Sequence, residues 1–210
     1  MQSKFDNGGN KIMLNYDALL KFEKQISEYT GAPYVVLTDS CTHAIELCLR
    51  YRMPFEKYSI PKHTYLSIPM LFYKLRYSFE YNDDEWEYEY QIKPTNIWDS
   101  ARAFDRGMFR KGQLQCLSFG HTKRLEIGHG GAILTGSSYI YHTIKKMAYD
   151  GRDLSVSPWQ DQKTFHVGYH YKPSIEDCEK GLYMLANNQL KPKQSQLVKY
   201  PDLTKIEIVD

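Results

Sequence analysis

Short apolar runs alternate with amphipathic segments along most of this 210-residue chain. The run YVVLT (34–38) is rich in β-branched residues and leads directly into DSCTHAIELCLRYR (39–52), where Ile45, Cys48 and Leu49 share one helical face. The same order of strand and helix recurs in KYSIP and LSIPMLFYKLRY, and NIWDSA and LQCLSF predict further strands. Such alternation is typical of an α/β fold, so we expect a mostly parallel sheet flanked by helices.

The remaining periodic segments predict three further helices and one strand. NYDALLKFEKQISEYTG (15–31) carries apolar residues at spacings of three and four, and we expect Asn15 to cap its start and Gly31 its end. SYIYHTIKKMAYDG and SIEDCEKGLYMLANNQ are also amphipathic. EWEYEYQI (85–92) alternates glutamate with aromatic residues, which predicts a half-buried strand.

Composition narrows the class of protein. An apolar content of 42% suffices for a core, and we expect residues 1–210 to form a single domain. The 27 basic and 25 acidic residues are interspersed, with no long like-charge block that would suggest a nucleic-acid arm, so charge does not indicate a partner and we expect no nucleic acid. The N-terminus lacks the apolar centre of a signal peptide, and no run approaches the roughly 18 apolar residues of a membrane span. Four widely spaced cysteines predict reduced thiols, so we expect a cytosolic protein without a membrane partner.

Polar residues stand at the ends of three predicted strands. In an open parallel sheet, ligands bind beyond the carboxyl ends of the strands, beside helix N-termini. Ser40 and Thr42 open a helix after the first strand, and Asp99 ends the strand NIWD. Ser118 ends LQCLS, and Lys123 follows it in a glycine-rich loop. Taken singly, each has an ordinary explanation as a helix cap, a salt-bridge partner or a solvated lysine.

Taken in this order, these features resemble the DegT/DnrJ/EryC1/StrS family of sugar aminotransferases. The segments that carry the resemblance are FEKQISEYTGAPYVVLTDSCTHAIEL, DSARAF, SFGHTKRLEIGHGGAIL and VGYHYKPSIEDCEKGLYML. The resemblance implies the large cofactor-binding domain of fold type I aminotransferases, with pyridoxal 5′-phosphate (PLP) as cofactor.

The resemblance also implies a role for individual residues. Lys123 would form a Schiff base with the cofactor aldehyde, and Asp99 would pair with the pyridinium nitrogen so that the ring can accept electrons. Tyr65 would lie on the ring face, while Thr42 and Ser118 would hold the phosphate at a helix N-terminus. The cofactor-binding set implied in this way is Cys41, Thr42, Tyr65, Asp99, Arg102, Ser118, Lys123 and His170.

Five positions depart from the family pattern. Cys41 stands where the family has glycine, Arg102 where it has glutamine or histidine, and His129 where it has an acidic residue. His170 and Lys172 replace an asparagine and an arginine. Since that asparagine reaches the neighbouring subunit's cofactor phosphate, the resemblance implies a homodimer with shared active sites. Both replacements can still donate to a phosphate.

The chain is also shorter than the family pattern. The family has a further helix and strand between SFEYND and NIWDSA, and a small domain after KYPDL, so we expect a single domain without these parts. The resemblance implies amino transfer from an amino acid, with glutamate as the expected donor, to a keto-sugar that we expect to be nucleotide-linked. One alternative is a PLP-binding or interaction protein without turnover. A PLP-dependent sugar dehydratase is disfavoured, because related dehydratases replace the lysine with histidine.

Overall fold

The computed structural model describes residues 7–52, 54–156, 158–193 and 200–209, with side chains from residue 16 onward. Residues 1–6, part of the segment assessed above for a signal peptide, lie outside the described residues. The helices are α1 (Asn7–Thr30), α2 (Cys41–Tyr51), α3 (Ser67–Leu75), α4 (Ser138–Ala148) and α5 (Ile175–Ala186). The strands are β1 (Tyr34–Thr38), β2 (Tyr58–Pro61), β3 (Phe79–Asn82), β4 (Tyr90–Ile92), β5 (Ile97–Asp99), β6 (Leu114–Ser118) and β7 (Gly131–Thr135).

A five-stranded sheet in the order β1-β7-β6-β5-β4 forms the centre of the fold, and β2 pairs with β3 in a second, parallel sheet. The α/β class predicted from the sequence is confirmed. The expected parallel pairing of the central sheet is wrong, because only β5 and β6 pair in parallel among the described strands of that sheet. The chain returns from β4 to β5 and from β6 to β7 through loops without a helical crossover, and such returns produce antiparallel pairs.

The directions of the strands nevertheless place three strand ends together. Strands β1 and β6 are both antiparallel to β7, and β5 is parallel to β6. Strands β1, β5 and β6 therefore run in one direction, and their carboxyl ends meet at one edge of the sheet.

Two predicted element boundaries need correction. Helix α1 begins at Asn7 rather than at Asn15. The preceding residues include KIML (11–14), which has good helix propensity, so the helix extends beyond Asn15 toward the N-terminus. Its end is as predicted, with Gly31 at a φ of 78°. The strand expected over 85–92 is limited to β4. Trp86 lies outside the strand, and its Nε1 donates to the carbonyl of His63 at 2.8 Å.

A close backbone approach fixes the start of α2 against the glycine-rich loop. A Cβ atom on Gly131 would lie 2.6 Å from the backbone nitrogen of Cys41 and 2.8 Å from the carbonyl oxygen of Leu117, so only glycine fits there. Ser40 forms a bridge with Gly130 on the same loop. The first turn of α2 and the loop before β7 are thus held side by side.

The buried apolar residues form one core that extends from Leu19 in α1 to Cys178 in α5. Helix α1 packs on β1 and on α5, where Gly181 lies against the ring of Phe22. Helices α2 and α4 pack on each other and on the central strands. Among the described residues, no helix combines the length and apolar character needed to cross a membrane.

Candidate functional site

A cavity of about 560 Å³ lies at the carboxyl ends of β1, β5 and β6. Its lining includes residues 39–42 after β1, Asp99 at the end of β5, and Ser118 at the end of β6. Lys123, in the loop that leads to β7, lines the same cavity. This volume is typical of a site for a small molecule.

The cavity brings together most of the residues singled out in the sequence. The predicted cofactor residues that line it are Cys41, Thr42, Tyr65, Asp99, Arg102, Ser118 and Lys123. His129 lines it as well. His170 does not: its side chain is 70% exposed, and Nδ1 lies 3.0 Å from a carboxylate oxygen of Asp150. The role expected for His170 concerns a neighbouring subunit and stays a prediction.

Asp99 is a buried carboxylate that contacts neutral donors. The hydroxyl of Tyr90 donates to Oδ2 at 2.8 Å, and the backbone N–H of Ala101 donates to Oδ1 at 3.1 Å. The thiol of Cys41 lies 3.9 Å from Oδ1. Burial raises the pKa of Asp99 above its ordinary value, against the lowering effects of Tyr90, Ala101 and the charge of Lys123. A cation placed in the cavity beside this carboxylate would favour its ionised form.

Two hydroxyl groups, from Thr64 and Tyr90, form a hydrogen-bonded chain that ends at Asp99. Tyr90 is buried, and its hydroxyl lies 2.6 Å from Oγ1 of Thr64. Since the single Tyr90 proton is donated to Asp99, the Thr64 hydroxyl is placed to donate to the Tyr90 oxygen. Burial and the charge of Asp99 raise the pKa of Tyr90 well above its usual range, so the phenol stays a donor. The alternation in EWEYEYQI indicated an inward Tyr90, but no sequence signal linked it to Asp99.

Lys123 contributes a side-chain amine to the lining of the cavity. Burial lowers its pKa, and the charge of Asp99 opposes this shift. A lowered pKa increases the neutral fraction of the amine, which is the nucleophilic form. The Lys123 backbone N–H donates to the carbonyl of Gly120 at 3.0 Å, and Gly128 and Gly130 have φ values of 104° and 106°. The glycines thus allow the tight loop that brings the lysine to the cavity.

The N-terminus of α2 forms a polar end of the cavity. Ser40 caps the helix, its Oγ accepting from the backbone N–H of His43 at 3.1 Å. The N–H groups of Cys41 and Thr42 belong to the first turn, which has no intrahelical acceptor. Oγ1 of Thr42 lies 2.8 Å from Oγ of Ser67 at the start of α3, a residue that the sequence analysis did not identify. An anion such as phosphate suits this arrangement.

Asp39 adds a carboxylate at the same end of the cavity. Its Oδ1 lies 2.6 Å from Nδ1 of His43. The His43 ring stacks on Tyr171 with a centroid distance of 3.7 Å and an angle of 7°. The Asp39 carboxylate therefore has a close side-chain partner at the anion-binding end. The sequence analysis identified neither residue of this pair.

Three features of the cavity, namely Asp99, Lys123 and the N-terminus of α2, fit one kind of molecule. A buried carboxylate suits a protonated ring nitrogen, an amine with lowered pKa suits an aldehyde, and a helix N-terminus with hydroxyl groups suits a phosphate. A phosphorylated pyridine aldehyde carries all three groups. The side chains present are thus compatible with the cofactor that the sequence resemblance implies.

Comparison with known proteins supports this assignment. A sequence model described as the DegT/DnrJ/EryC1/StrS aminotransferase family matches residues 6–66. This segment contains the N-terminus of α2 and Tyr65, and the resemblance predicted from the sequence is confirmed. No curated protein matches the chain.

Solved structures show the same fold. Helicobacter pylori PseC, an aminotransferase involved in the biosynthesis of pseudoaminic acid, has a TM-score of 0.66 and 12% identity, covering 90% of this chain and 64% of its own. NtdA from Bacillus subtilis with bound cofactor PMP has a TM-score of 0.66 and 16% identity, covering 86% and 53%. The GDP-4-keto-6-deoxymannose-3-dehydratase ColD, as an H188N mutant with bound GDP-perosamine, has a TM-score of 0.65 and 13% identity, covering 89% and 67%. The fold is that of fold type I aminotransferases, and the chain spans 53% to 67% of the length of these three proteins.

The raised pKa of Asp99 predicts an unusual stability effect. As the pH rises, the unfolded chain loses this proton first, near its ordinary pKa of roughly 3.9. Stability contributed by Asp99 therefore falls as the pH rises through the interval between the unfolded and folded pKa values, and it stays low above both. We expect Asp99→Asn to melt at or above the temperature of the wild type at pH 7, without cofactor. Thermal unfolding of both proteins between pH 4 and 8 checks this, and the difference should grow with pH.

Asp153 provides a control of opposite sign. Hydrogen bonds from Ser155 and the contact with Lys146 hold the pKa of Asp153 well below its usual range. Asp153→Asn should therefore lower the melting temperature at pH 7. If Asp99→Asn instead melts well below the wild type, the Asp99 carboxylate stabilises the fold and the expected direction of the effect is wrong.

Proposed function

We propose that this chain binds PLP at Lys123 and acts as an aminotransferase. The proposed donor is an amino acid, with glutamate the expected one, and the proposed acceptor is a keto-sugar, expected to be nucleotide-linked. The observation that carries the proposal is the single cavity lined by Lys123, Asp99 and the N-terminus of α2. PseC, an aminotransferase, and NtdA, which binds PMP, support it through their shared fold. PLP would supply a ring that accepts electrons from the substrate.

Each residue then has a defined task. Lys123 would hold the aldehyde carbon of the cofactor, and its free amine would move a proton between the substrate and cofactor carbon atoms. Asp99, held by Tyr90, keeps the ring nitrogen protonated. Thr42 and Ser118 bind the phosphate beside the first turn of α2. The further cofactor contacts in the proposal are Cys41, Tyr65, Arg102 and His170.

Dehydration of a sugar is a related activity on the same fold, as ColD illustrates. Lys123 favours transamination, because a lysine at this position can hold the cofactor and release it to the incoming amine. The family resemblance places histidine here in the related dehydratases. The retained lysine thus supports the aminotransferase proposal.

A second candidate is a PLP-binding protein without productive turnover. It is favoured by three departures from the family pattern that line the cavity, Cys41, Arg102 and His129. The two candidates agree on cofactor binding and differ in the reaction with an amino acid.

The first test is the site of attachment. Wild-type protein mixed with PLP should acquire an absorption band in the near-ultraviolet to violet, and borohydride reduction should fix the adduct on Lys123, as located by peptide mapping. Lys123→Ala should lose both signals. Lys191→Ala is a matched control, since Lys191 lies beside Lys123 and pairs with Glu126 at 2.7 Å. An adduct on any other lysine contradicts the proposal.

The second test separates the two candidates. Glutamate added to the PLP-loaded wild type should change the cofactor absorption within a single turnover. Asp99→Asn should bind PLP but react on the order of 100-fold more slowly, because a neutral amide cannot keep the ring nitrogen protonated. PLP binding without a response to glutamate or to other amino acids would favour the second candidate, and an unchanged rate in Asp99→Asn would contradict the role of Asp99.

We propose that the protein forms a two-fold homodimer with shared sites. The segment before His170 exposes several apolar side chains: Val156 (41%), Trp159 (50%), Phe165 (44%) and Val167 (80%). Trp159 and Phe165 contact each other at a centroid distance of 6.2 Å, and adjoining exposed apolar groups often mark an interface. Two-fold dimers are also the commonest soluble oligomers. In this proposal, His170 and Lys172 approach the cofactor phosphate of the partner subunit.

A hybrid experiment tests the shared site. Lys123→Ala and His170→Ala proteins should each be impaired, and mixed dimers should regain one intact site, because Lys123 of one subunit then meets His170 of the other. Since His170 is 70% exposed, its replacement should leave folding unchanged. Activity of about half of wild type is expected in verified hybrids, because one of the two sites in each hybrid is intact. Hybrids as inactive as their parents would argue against sharing.

We also propose a cytosolic location. The cysteines Cys41, Cys48, Cys116 and Cys178 are all free. The sulfur atoms of Cys48 and Cys116 lie 3.8 Å apart without a bond. Buried thiols at this distance persist in a reducing compartment.

A further inference from the structure

The segment that begins at Tyr200 contributes one side chain to the lining of the cavity. Tyr200 lines the cavity together with Lys123 and Asp99. Its carbonyl oxygen lies 3.0 Å from Nδ1 of His63, and the backbone N–H of Leu203 donates to the carbonyl of Lys62 at 3.0 Å. Leu203 is only 2% exposed. These contacts anchor the segment to the loop that precedes Tyr65.

Tyr200 belongs to a group of three rings, Tyr65, Trp86 and Tyr200, which we call the aromatic wall. All three line the cavity. Tyr200 stacks on Trp86 with a centroid distance of 5.8 Å and an angle of 21°, and it meets Tyr65 edge to face at 6.4 Å. Both Trp86 and Tyr200 contact His63, so one residue sets their relative position.

The aromatic wall lies next to the carboxylate of the site. Trp86 packs on Tyr90 at a centroid distance of 4.8 Å, and Tyr90 donates to Asp99. Burial raises the pKa of Tyr200, and the charge of Asp99 adds to this shift. Tyr65, the only ring assigned to the cofactor from the sequence, is 60% exposed and offers limited cover by itself.

We propose that Tyr200 contacts the pyridine ring of the bound cofactor, so that the C-terminal segment of the same subunit completes the cofactor site. The inference rests on the function proposed above. A protonated pyridine ring is planar and cationic, and such a ring binds favourably against the electron-rich face of a tyrosine. A ring that reaches both Asp99 and Lys123 must occupy the cavity that Tyr200 lines.

The test measures cofactor affinity rather than activity. The probes are PLP and 4′-deoxypyridoxine 5′-phosphate, which lacks the aldehyde and cannot bond to Lys123. Tyr200→Leu should raise the dissociation constants of both probes roughly three- to tenfold, the range expected for one aromatic contact. Tyr200→Phe keeps the ring and should stay within about twofold of the wild type. Binding is followed by the absorption of PLP and the fluorescence of the deoxy compound.

Tyr183→Leu serves as a matched control, because Tyr183 is 61% exposed on α5 and lies outside the cavity lining. It should leave both constants unchanged. Wild-type binding with unchanged or tighter binding by Tyr200→Leu overturns this inference alone and leaves the proposed function intact. A wild type that binds neither probe overturns both. Melting temperatures of the variants establish that a loss of affinity is not a loss of fold.

Discussion

The buried carboxylate of Asp99 is the constraint on which the rest of the site depends. It accepts hydrogen bonds from two neutral groups, the Tyr90 hydroxyl and the Ala101 backbone N–H, and burial raises its pKa. A carboxyl group in this position costs stability unless a cation accompanies it. Such a cost is characteristic of functional sites, where a ligand supplies the missing charge. Burial of Lys123 at the same cavity lowers the pKa of the amine, which increases its neutral, nucleophilic fraction.

Close packing of the backbone brings these groups together. Gly131 allows β7 to touch the start of α2, and the common direction of β1, β5 and β6 places their ends at one edge of the sheet. Strand β7 is antiparallel to its neighbours, so it begins at this edge, where Gly131 pairs with Thr38 and Ser118, and the three carboxyl ends stay together. The geometry of the site thus survives in a sheet whose pairing differs from the expected one.

Several residues adapt the cavity to this particular chain. Cys41 places a thiol beside Asp99, and burial raises the pKa of that thiol well above its usual range, so it remains a neutral donor. Asp39 and His43 form a close pair at the anion-binding end. The aromatic wall lines the cavity with side chains from three separate segments. Each of these features changes the surroundings of a ligand while leaving Lys123 and Asp99 in place.

The sequence by itself determined the α/β class, most helices and strands, and the residues at the strand ends. These features depend on local periodicity and on turn chemistry, which a short window of residues expresses. It also predicted roles for Asp99, Ser118 and Lys123, because their order along the chain resembles a family. Only the tertiary structure decided the antiparallel position of β7, the support of Asp99 by Tyr90 and the approach of Tyr200 to the cavity. Those features join residues about ten to a hundred positions apart, and such contacts are fixed by the packing of the whole chain rather than by any local pattern.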